Sequence, residues 1–377
     1  MNRRSVFVRI IKIICLILCV AVLSSACLSL CFFYDYTGIL MSGLYNEPKN
    51  TVDVVILGAS EAYIDYSAAY AYDLYGYTSY PFAWDAATGE LYEAQVREVL
   101  SRQDPEWIVV EINGILYDDV KDATNPHSQR LFLDNTPMSL NKLRTIFKYV
   151  SAEDRYQYLF PLAKYHGNWK TAYDQGGRLR DLLSIRQNGS VLKGMVTNVM
   201  PYDAPVTRDV KDDFSMEPLE PHCERYLISF LEFCREEGLE NILFVRFPHI
   251  IADDWNYHRF RRCNQAEQII REYGYDFVNL ERESDRIGLD FSRDFYNADH
   301  LNYMGQQKLT ACFGQILTEE YGVGRSDLSA EQKAAWDKAA QYVHQFYRFC
   351  EKAMENGNHD VYYETRDLLQ QLENGLL

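Results

Sequence analysis

The chain has 377 residues and a formal net charge of −16, from 54 Asp or Glu against 38 Lys or Arg. This acidic balance argues against nucleic acid as a partner, because a phosphate-binding surface needs clustered positive charge. The nine cysteines include no CxxC pair and no His at ligand spacing, and the sequence has no glycine-rich phosphate loop. The sequence therefore predicts no disulfide framework, no metal site and no cofactor.

The N-terminal segment, residues 1–33, predicts a membrane anchor. Four basic residues, the last of them Lys12, precede residues 13–33, which carry no charge. At about 1.5 Å per residue this run spans roughly 32 Å as a helix, enough to cross a hydrocarbon core of about 30 Å. The basic flank places residues 34–377, where 34 Lys or Arg face 54 Asp or Glu for a net charge of −20, outside the cytoplasmic membrane. The alternatives are a buried core helix and a cleaved signal or lipoprotein signal near Cys27.

Residues 34–51 predict a short tether, because Gly and Pro interrupt them. Residues 52–325 then alternate between strand-like and helix-like segments. Apolar, β-branched runs at 52–57, 107–112 and 242–247 are typical of buried strands, and several of the helical segments between them end at a glycine. The alternation predicts an α/β domain with three layers, α/β/α, around a central parallel sheet.

Two further segments depart from this alternation. Residues 117–221 are rich in aromatic residues and predict a helical and irregular insertion that forms a lid or a flank over the site. Residues 326–377 predict a polar, mostly helical C-terminal extension. Such an extension could either pack on the α/β domain or bind a partner protein.

A candidate nucleophile, Ser60, follows the first predicted strand, two residues after Gly58. Ligands bind at the carboxyl ends of the strands in an open α/β sheet, so this position favours a functional side chain. A serine in a tight strand-to-helix turn exposes its hydroxyl, and a backbone N–H at a helix start suits a developing negative charge. The alternative is that Ser60 only caps the following helix.

A candidate base, His300, lies in residues 294–305, just before a helix predicted at the end of the α/β region. A histidine there could reach back to the carboxyl edge of the sheet and accept the proton that a serine nucleophile must lose. The alternative is a surface histidine or a satisfied core histidine. That alternative is our interpretation of the other seven histidines, which have no such neighbours in the sequence.

Two motifs occur together in the sequence: a Gly-Ala-Ser that ends at Ser60 and a His-Leu-Asn-x-x-Gly that begins at His300. Together they resemble the motifs of the SGNH/GDSL hydrolase superfamily. The chain is similar to membrane-anchored SGNH proteins of Gram-positive envelopes, relatives of the lipoteichoic-acid D-alanylation and alginate-acetylation proteins. The resemblance runs through most of residues 52–340. It implies that Ser60 attacks an ester carbonyl, that His300 takes its proton, and that the Ser60 backbone N–H and donors from two further loops meet the oxyanion.

The sequence departs from the family pattern in three places. The aspartate that orients the imidazole is replaced by Asn297, and an amide stabilises a developing imidazolium less than a carboxylate does. Asp299 or Asp294 could substitute. The second oxyanion position falls at Asp85 instead of a glycine, although its backbone N–H could still donate. The third falls at Asn113, which could equally be a plain turn residue.

The resemblance implies an extracytoplasmic serine esterase or O-acyltransferase that acts on acyl esters of a cell-envelope polymer. Its expected partners are an envelope glycopolymer or a small acyl ester, the membrane through the N-terminal helix, and a membrane protein that donates acyl groups. The alternatives are a catalytically degenerate scaffold or binding protein of the same fold, and an unrelated α/β binding protein. The group beside the His300 ring nitrogen remote from Ser60 would discriminate between them.

Overall fold

The structure, a computed structural model, describes residues 3–203, 205–358 and 360–374. Within these residues the strands are β1 (Val54–Gly58), β2 (Ser79–Ala83), β3 (Trp107–Glu111), β4 (Val196–Asn198), β5 (Ile242–Arg246), β6 (Asp276–Asn279) and β7 (Val361–Tyr363). Five of them form one parallel sheet in the order β2-β1-β3-β5-β6. This confirms the predicted α/β class with a central parallel sheet.

Helices connect these strands and flank both ends of the described chain. The α-helices are Arg3–Cys31, Tyr36–Leu44, Ser60–Ile64, Ala68–Tyr75, Tyr92–Leu100, Val120–Ala123, Pro126–Asn135, Leu140–Tyr149, Arg155–Leu159, Pro161–Tyr165, Ala172–Asn188, Pro221–Glu236, Asp254–Glu272, Ser284–Ile287, Tyr303–Glu319, Ala330–Glu355 and Arg366–Glu373. The 3-10 helices are Gly89–Leu91, Asn113–Ile115 and His166–Thr171. The helix Ala68–Tyr75 shows how local sequence sets the bounds, because Ser67 caps its start and Gly76, at a φ of 83°, ends it.

The sheet is buried on both faces, as a parallel sheet with crossover helices should be. Alternate residues of β1 belong to different hydrophobic clusters: Val55 and Leu57 to one, Val54 and Ile56 to the other. The chain leaves β1 for β2 on one side and then returns to β3 on the other side. The carboxyl ends of β1 and β3 therefore form the topological switch point, the place where open α/β sheets bind ligands.

The N-terminal helix is apolar and stands apart from the sheet. Its segment Phe7–Cys31 is long and apolar enough to cross a membrane, and the most apolar part of that segment is not buried inside the protein. Its exposed Ile, Leu and Val side chains form an apolar surface of the kind found at membrane or protein contacts. Its last residues, together with Phe32 and Tyr34, pack against helix Ala172–Asn188.

Residues 34–51 differ from the predicted tether, because they contain the buried helix Tyr36–Leu44. The glycines that we interpreted as helix breakers are packing residues instead. A Cβ on Gly43 would collide with the hydroxyl of Tyr80, and that hydroxyl donates to Leu40 O at 2.8 Å. The local prediction was wrong because glycine both interrupts helices and permits close approach, and only the tertiary contact decides between the two.

Residues 117–221 contain several helices separated by irregular segments, and they join the C-terminal extension through an unpredicted contact. Strands β4 and β7 pair antiparallel, and each is only three residues long, too short to produce a recognisable pattern. The long helix Ala330–Glu355 packs on the domain, with Val343 and Phe346 in a cluster with Leu192. The extension is therefore part of the folded body.

Candidate functional site

A cavity of about 190 Å³ lies at the switch point of the sheet. Its lining contains Ala59, Ser60, Glu61, Asp85, Ala86, Asn113, Tyr117, Asp118, Asp122, Trp255, Arg259, Asp299 and His300. Both predicted catalytic residues, Ser60 and His300, thus line one cavity although they are 240 positions apart in the sequence. The turn from β1 to Ser60 requires a glycine at position 58. The φ of Gly58 is 141°, and an added Cβ would lie only 2.9 Å from Glu111 O at the end of β3.

Ser60 is the first residue of helix Ser60–Ile64, and it does not cap that helix. The N-cap is Ala59, which makes no side-chain capping bond. The Ser60 Oγ instead donates to Glu61 Oε2 at a long 3.4 Å. The capping alternative for Ser60 is therefore wrong. Ser60 lines the cavity, and within the described part of the chain its hydroxyl has one weak partner.

The loop before helix Tyr303–Glu319 presents His300. A bridge between Phe295 and Leu301 closes this loop, and Leu301 N donates to Asp65 Oδ1 at 2.9 Å. Asp65 follows helix Ser60–Ile64 directly, so this hydrogen bond ties the histidine loop to the serine helix.

The predicted orienting role of Asn297 is corrected by its contacts. Its Oδ1 accepts from the backbone N–H of Asp299 at 2.9 Å and from that of His300 at 2.8 Å. The amide oxygen shapes the turn and does not hold the imidazole ring. The sequence could not reveal this, because an asparagine in a turn serves its own backbone as readily as a neighbouring side chain.

Neither aspartate that could replace the missing acid contacts the His300 ring. Asp299 Oδ1 pairs with Arg259 Nη1 at 2.8 Å, and Asp294 Oδ2 pairs with Lys308 Nζ at 2.6 Å. Among the described residues, the buried His300 Nδ1 has no hydrogen-bond partner. Burial lowers the pKa of His300, against the opposing negative charge of Glu61 and Asp299, so the ring is neutral near pH 7.

Asn113 is held by two arginines and is not a plain turn residue. Its Oδ1 accepts from Arg246 Nη1 at 2.9 Å and also from Arg259 Nη2. A guanidinium group only donates, so the amide oxygen must face the arginines and the amide N–H₂ must face away from them. Because Asn113 lines the cavity, its N–H₂ is a fixed candidate donor there.

Asp85, the third predicted oxyanion residue, also lines the cavity. Its side chain is half exposed and lies 3.8 Å from His127 Nε2. Burial raises the pKa of Asp85, while the nearby His127 side chain opposes the shift. An ionised carboxylate cannot donate a hydrogen bond, so the predicted role belongs to the backbone N–H of Asp85 and stays a prediction.

A buried network of charged side chains lies behind Ser60, and the sequence interpretation missed it. Glu61 Oε1 lies 3.4 Å from His249 Nε2, and His249 Nδ1 lies 3.0 Å from Glu281 Oε1. Arg246 Nε donates to the same Glu281 oxygen at 3.0 Å, and Arg246 Nη1 lies 3.4 Å from Glu111 Oε1. Each member lies at, or within three residues of, the carboxyl end of a sheet strand, and that position was the available signal.

The network shifts the titration of its members in opposite directions. Burial and Arg246 oppose a charged His249, but its hydrogen bonds to Glu281 and Glu61 raise the pKa of His249 to about 9. Burial would raise the pKa of Glu61, but the hydrogen bond from His249 and the surrounding positive charges lower it to about 2. Burial and the charge of Glu61 raise the pKa of Glu111 to about 7. At neutral pH, Glu61 is an ionised carboxylate beside a protonated His249.

This titration predicts a pH dependence of stability. The folded state keeps the His249 proton up to about pH 9, whereas an unfolded histidine loses it near 6.5. The free energy of unfolding should therefore fall by up to about 3 kcal/mol as pH rises through this window. Urea unfolding of the full chain in detergent micelles, at pH values on either side of the window, measures the change. His249→Gln keeps a donor but cannot titrate, so it should flatten the slope; an unchanged slope would assign the effect to another group.

No family model matches the chain, and no curated protein matches it. Among residues 3–203, 205–358 and 360–374, no group of three or more His, Cys, Asp or Glu side chains could hold a metal ion. The fold and the site define the class by themselves: an α/β protein with a central parallel sheet and a cavity lined by a serine and a histidine at the carboxyl edge of that sheet.

Proposed function

We propose that the protein is a serine esterase or O-acyltransferase of SGNH type, with a three-layer α/β/α domain. One observation carries the proposal: the Ser60 hydroxyl and the His300 imidazole line the same small cavity at the topological switch point of the sheet. A serine and a neutral histidine in one cavity are the minimum that acyl transfer requires. The fixed amide of Asn113 in that cavity supplies a donor for the oxyanion.

The proposed reaction has two steps, formation of an acyl-serine and transfer of its acyl group. Ser60 Oγ attacks the ester carbonyl carbon while His300 takes the hydroxyl proton, and the carbonyl oxygen becomes an oxyanion that the N–H₂ of Asn113 and the backbone N–H groups of Ser60 and Asp85 stabilise. The intermediate then expels the alcohol, which receives the proton from His300 and leaves an acyl-serine. In the second step water or a sugar hydroxyl attacks the acyl-serine, and His300 repeats the same proton transfers.

His300 suits the role of base better than the other candidate, Glu61. Glu61 is the group that the Ser60 hydroxyl contacts, yet the pKa of Glu61 is lowered to about 2. A carboxylate that holds a proton so weakly is a poor acceptor from a hydroxyl, whereas a neutral imidazole nitrogen is an ordinary general base. We assign Glu61 the role of a negative charge that stabilises the imidazolium form of His300 as it develops.

The N-terminal helix supports the location and substrate class of the proposal. A helix able to span a membrane, with basic residues before it, would hold the domain on the outer side of the cytoplasmic membrane. A tethered site meets substrates that are themselves fixed in the envelope. We therefore propose acyl esters of a cell-envelope polymer as substrates, with an acyl-donating membrane protein as the partner in the transfer reaction.

A second candidate function follows from the unpartnered ring nitrogen of His300. Because Asn297 serves its own loop and His300 Nδ1 has no partner among the described residues, no carboxylate fixes the imidazole tautomer. A domain that had lost this support could act as a scaffold or binding protein of the envelope. In that case Ser60 would not react with a serine-directed reagent even in well-folded protein.

Covalent labelling of the full chain with a fluorophosphonate probe tests the proposal. We expect labelling of the wild type and hydrolysis of a small acyl ester, and we expect His300→Ala to lower both at least about 10³-fold. The free energy of unfolding of His300→Ala should change by less than about 1 kcal/mol, since the buried Nδ1 has no hydrogen bond to lose within the described residues.

The matched control for this experiment is His258→Ala. His258 is an exposed histidine that pairs with Glu217 at 2.6 Å, and it should label like wild type. Equal labelling of wild type and His300→Ala would remove His300 from the mechanism. No labelling of folded wild type, with a small probe that enters the cavity, would favour the scaffold.

A further inference from the structure

The segment 155–188 differs from the rest of the domain in charge and in exposed aromatic side chains. It contains six Lys or Arg and two Asp, within a region 34–377 whose net charge is −20. Tyr156, Phe160, Trp169 and Tyr173 are all exposed, with Trp169 65% and Tyr173 95% accessible. We call residues 155–188 the juxtamembrane surface. Exposed rings beside basic side chains are typical of the interface between membrane and water.

The juxtamembrane surface lies where the apolar N-terminal helix ends. The rings of Phe32 and Tyr165 are 4.9 Å apart, the Cys31 thiol contacts His166 O at 3.9 Å, and Arg178 Nη1 donates to Tyr34 O at 3.0 Å. Trp169 comes three residues after His166 in a 3-10 helix, a rise of about 6 Å. The polar layer of a bilayer is roughly 5–8 Å thick on each side, so the ring lies within reach of lipid headgroups.

A cavity of about 570 Å³ is lined by residues from the end of the N-terminal helix and from helix Ala172–Asn188. Apolar side chains of both helices line it, together with Arg102 and Arg186. An apolar acyl chain would satisfy the apolar lining, and an anionic headgroup would satisfy the two guanidinium groups. An anionic phospholipid combines both.

We propose that the juxtamembrane surface and this cavity bind anionic phospholipid of the bilayer leaflet that faces the domain. The basic side chains attract the anionic headgroups, and the exposed rings insert at the headgroup level. The inference requires the N-terminal helix to span the membrane but does not require the esterase chemistry. Its consequence is that the domain lies on the bilayer in one orientation, with the Ser60 cavity at a fixed height above the lipid.

Quenching of tryptophan fluorescence by brominated lipid chains tests the contact directly. The full chain is reconstituted into vesicles of two parts phosphatidylcholine and one part brominated phosphatidylglycerol. We expect Trp169→Phe to remove more than half of the quenching. The matched control is Trp255→Phe, which removes another exposed tryptophan and should leave the quenching unchanged. Equal quenching in wild type and Trp169→Phe would overturn the proposal.

A charge variant tests the preference for anionic lipid. Lys170→Ser/Arg180→Ser/Arg186→Ser removes three basic side chains of the juxtamembrane surface, and each should weaken attraction roughly fivefold, or about a hundredfold together. Its quenching should fall to the level that wild type shows with brominated phosphatidylcholine alone.

The control for the charge variant is Arg144→Ser/Arg225→Ser/Arg348→Ser, which removes three exposed arginines elsewhere and should behave like wild type. If the quenching were the same with brominated phosphatidylglycerol and with brominated phosphatidylcholine, the preference for anionic lipid would be overturned. If protection of Trp169 from quenching depended on protein concentration and not on lipid composition, Trp169 would be in contact with another copy of the chain. That result would overturn the proposal.

Discussion

Ser60→Ala should lower ester hydrolysis on the order of 10⁴-fold or more and abolish fluorophosphonate labelling. The reason is chemical, because the variant lacks the only atom of the cavity that we propose forms the acyl bond. The structural cost should be small. The Ser60 hydroxyl makes one weak contact, with Glu61 at 3.4 Å, and caps no helix, so the free energy of unfolding should change by less than about 1 kcal/mol.

A second serine on the same stretch of chain provides the matched control. Ser67 is buried and its hydroxyl does cap a helix, accepting from Tyr70 N at 3.3 Å. Ser67→Ala should therefore lower the free energy of unfolding by about 1 kcal/mol and leave labelling intact. Activity assays and urea titrations on the two variants separate chemistry from stability. If Ser60→Ala retained labelling, another side chain would be the nucleophile and the proposed mechanism would fail.

Arg246→Met should destabilise the protein by about 3–5 kcal/mol, a large part of the stability of an ordinary domain. The Arg246 side chain is 1% exposed and contacts three acceptors, on Glu281, Glu111 and Asn113. Methionine can replace the aliphatic part of the arginine but has no donor, so these buried oxygens would lose their positive partner. The urea midpoint of the full chain in detergent micelles measures the loss.

The control for this variant is an arginine in a water-exposed ion-pair cluster. Arg286 pairs with Glu283 and Glu320 at the surface, so Arg286→Met should cost less than about 1 kcal/mol. Arg246→Lys keeps the charge but loses the planar arrangement of donors, and it should fall between wild type and Arg246→Met. If Arg246→Met lowered the free energy of unfolding no more than Arg286→Met does, water would have to reach Arg246 and its carboxylate partners.

The strands of the sheet could be predicted because each one is a short apolar run with its own local pattern. The residues Val54–Gly58 predict a buried strand without reference to any other part of the chain, and the glycine at the end of this strand indicates the turn to Ser60. Parallel strands bring their carboxyl ends to one edge, so the loop with Ser60 and the loop with His300 were expected to meet there. Both side chains line one cavity at that edge.

The partners of individual polar groups could not be predicted in the same way. Asn297 was expected beside an imidazole but serves its own backbone, and both arrangements satisfy the same amide. The position of His249 after a strand indicates the edge of the sheet but not its partner, which is Glu61, 188 positions away in sequence. Such pairs form because the fold brings two desolvated groups together and leaves each without water, so that each must find a protein partner.

The sequence alone determined the α/β class, the apolar N-terminal helix and the two loops that meet at the edge of the sheet, since these depend on patterns within about ten residues. Only the tertiary structure decided that the glycines of residues 34–51 pack a buried helix, and that His249 contacts Glu61 behind the serine. The physical reason is that the spacing of apolar residues indicates which face of a single helix or strand is buried. Contacts between elements depend on distances and on the local loss of water, which arise only when the chain has folded.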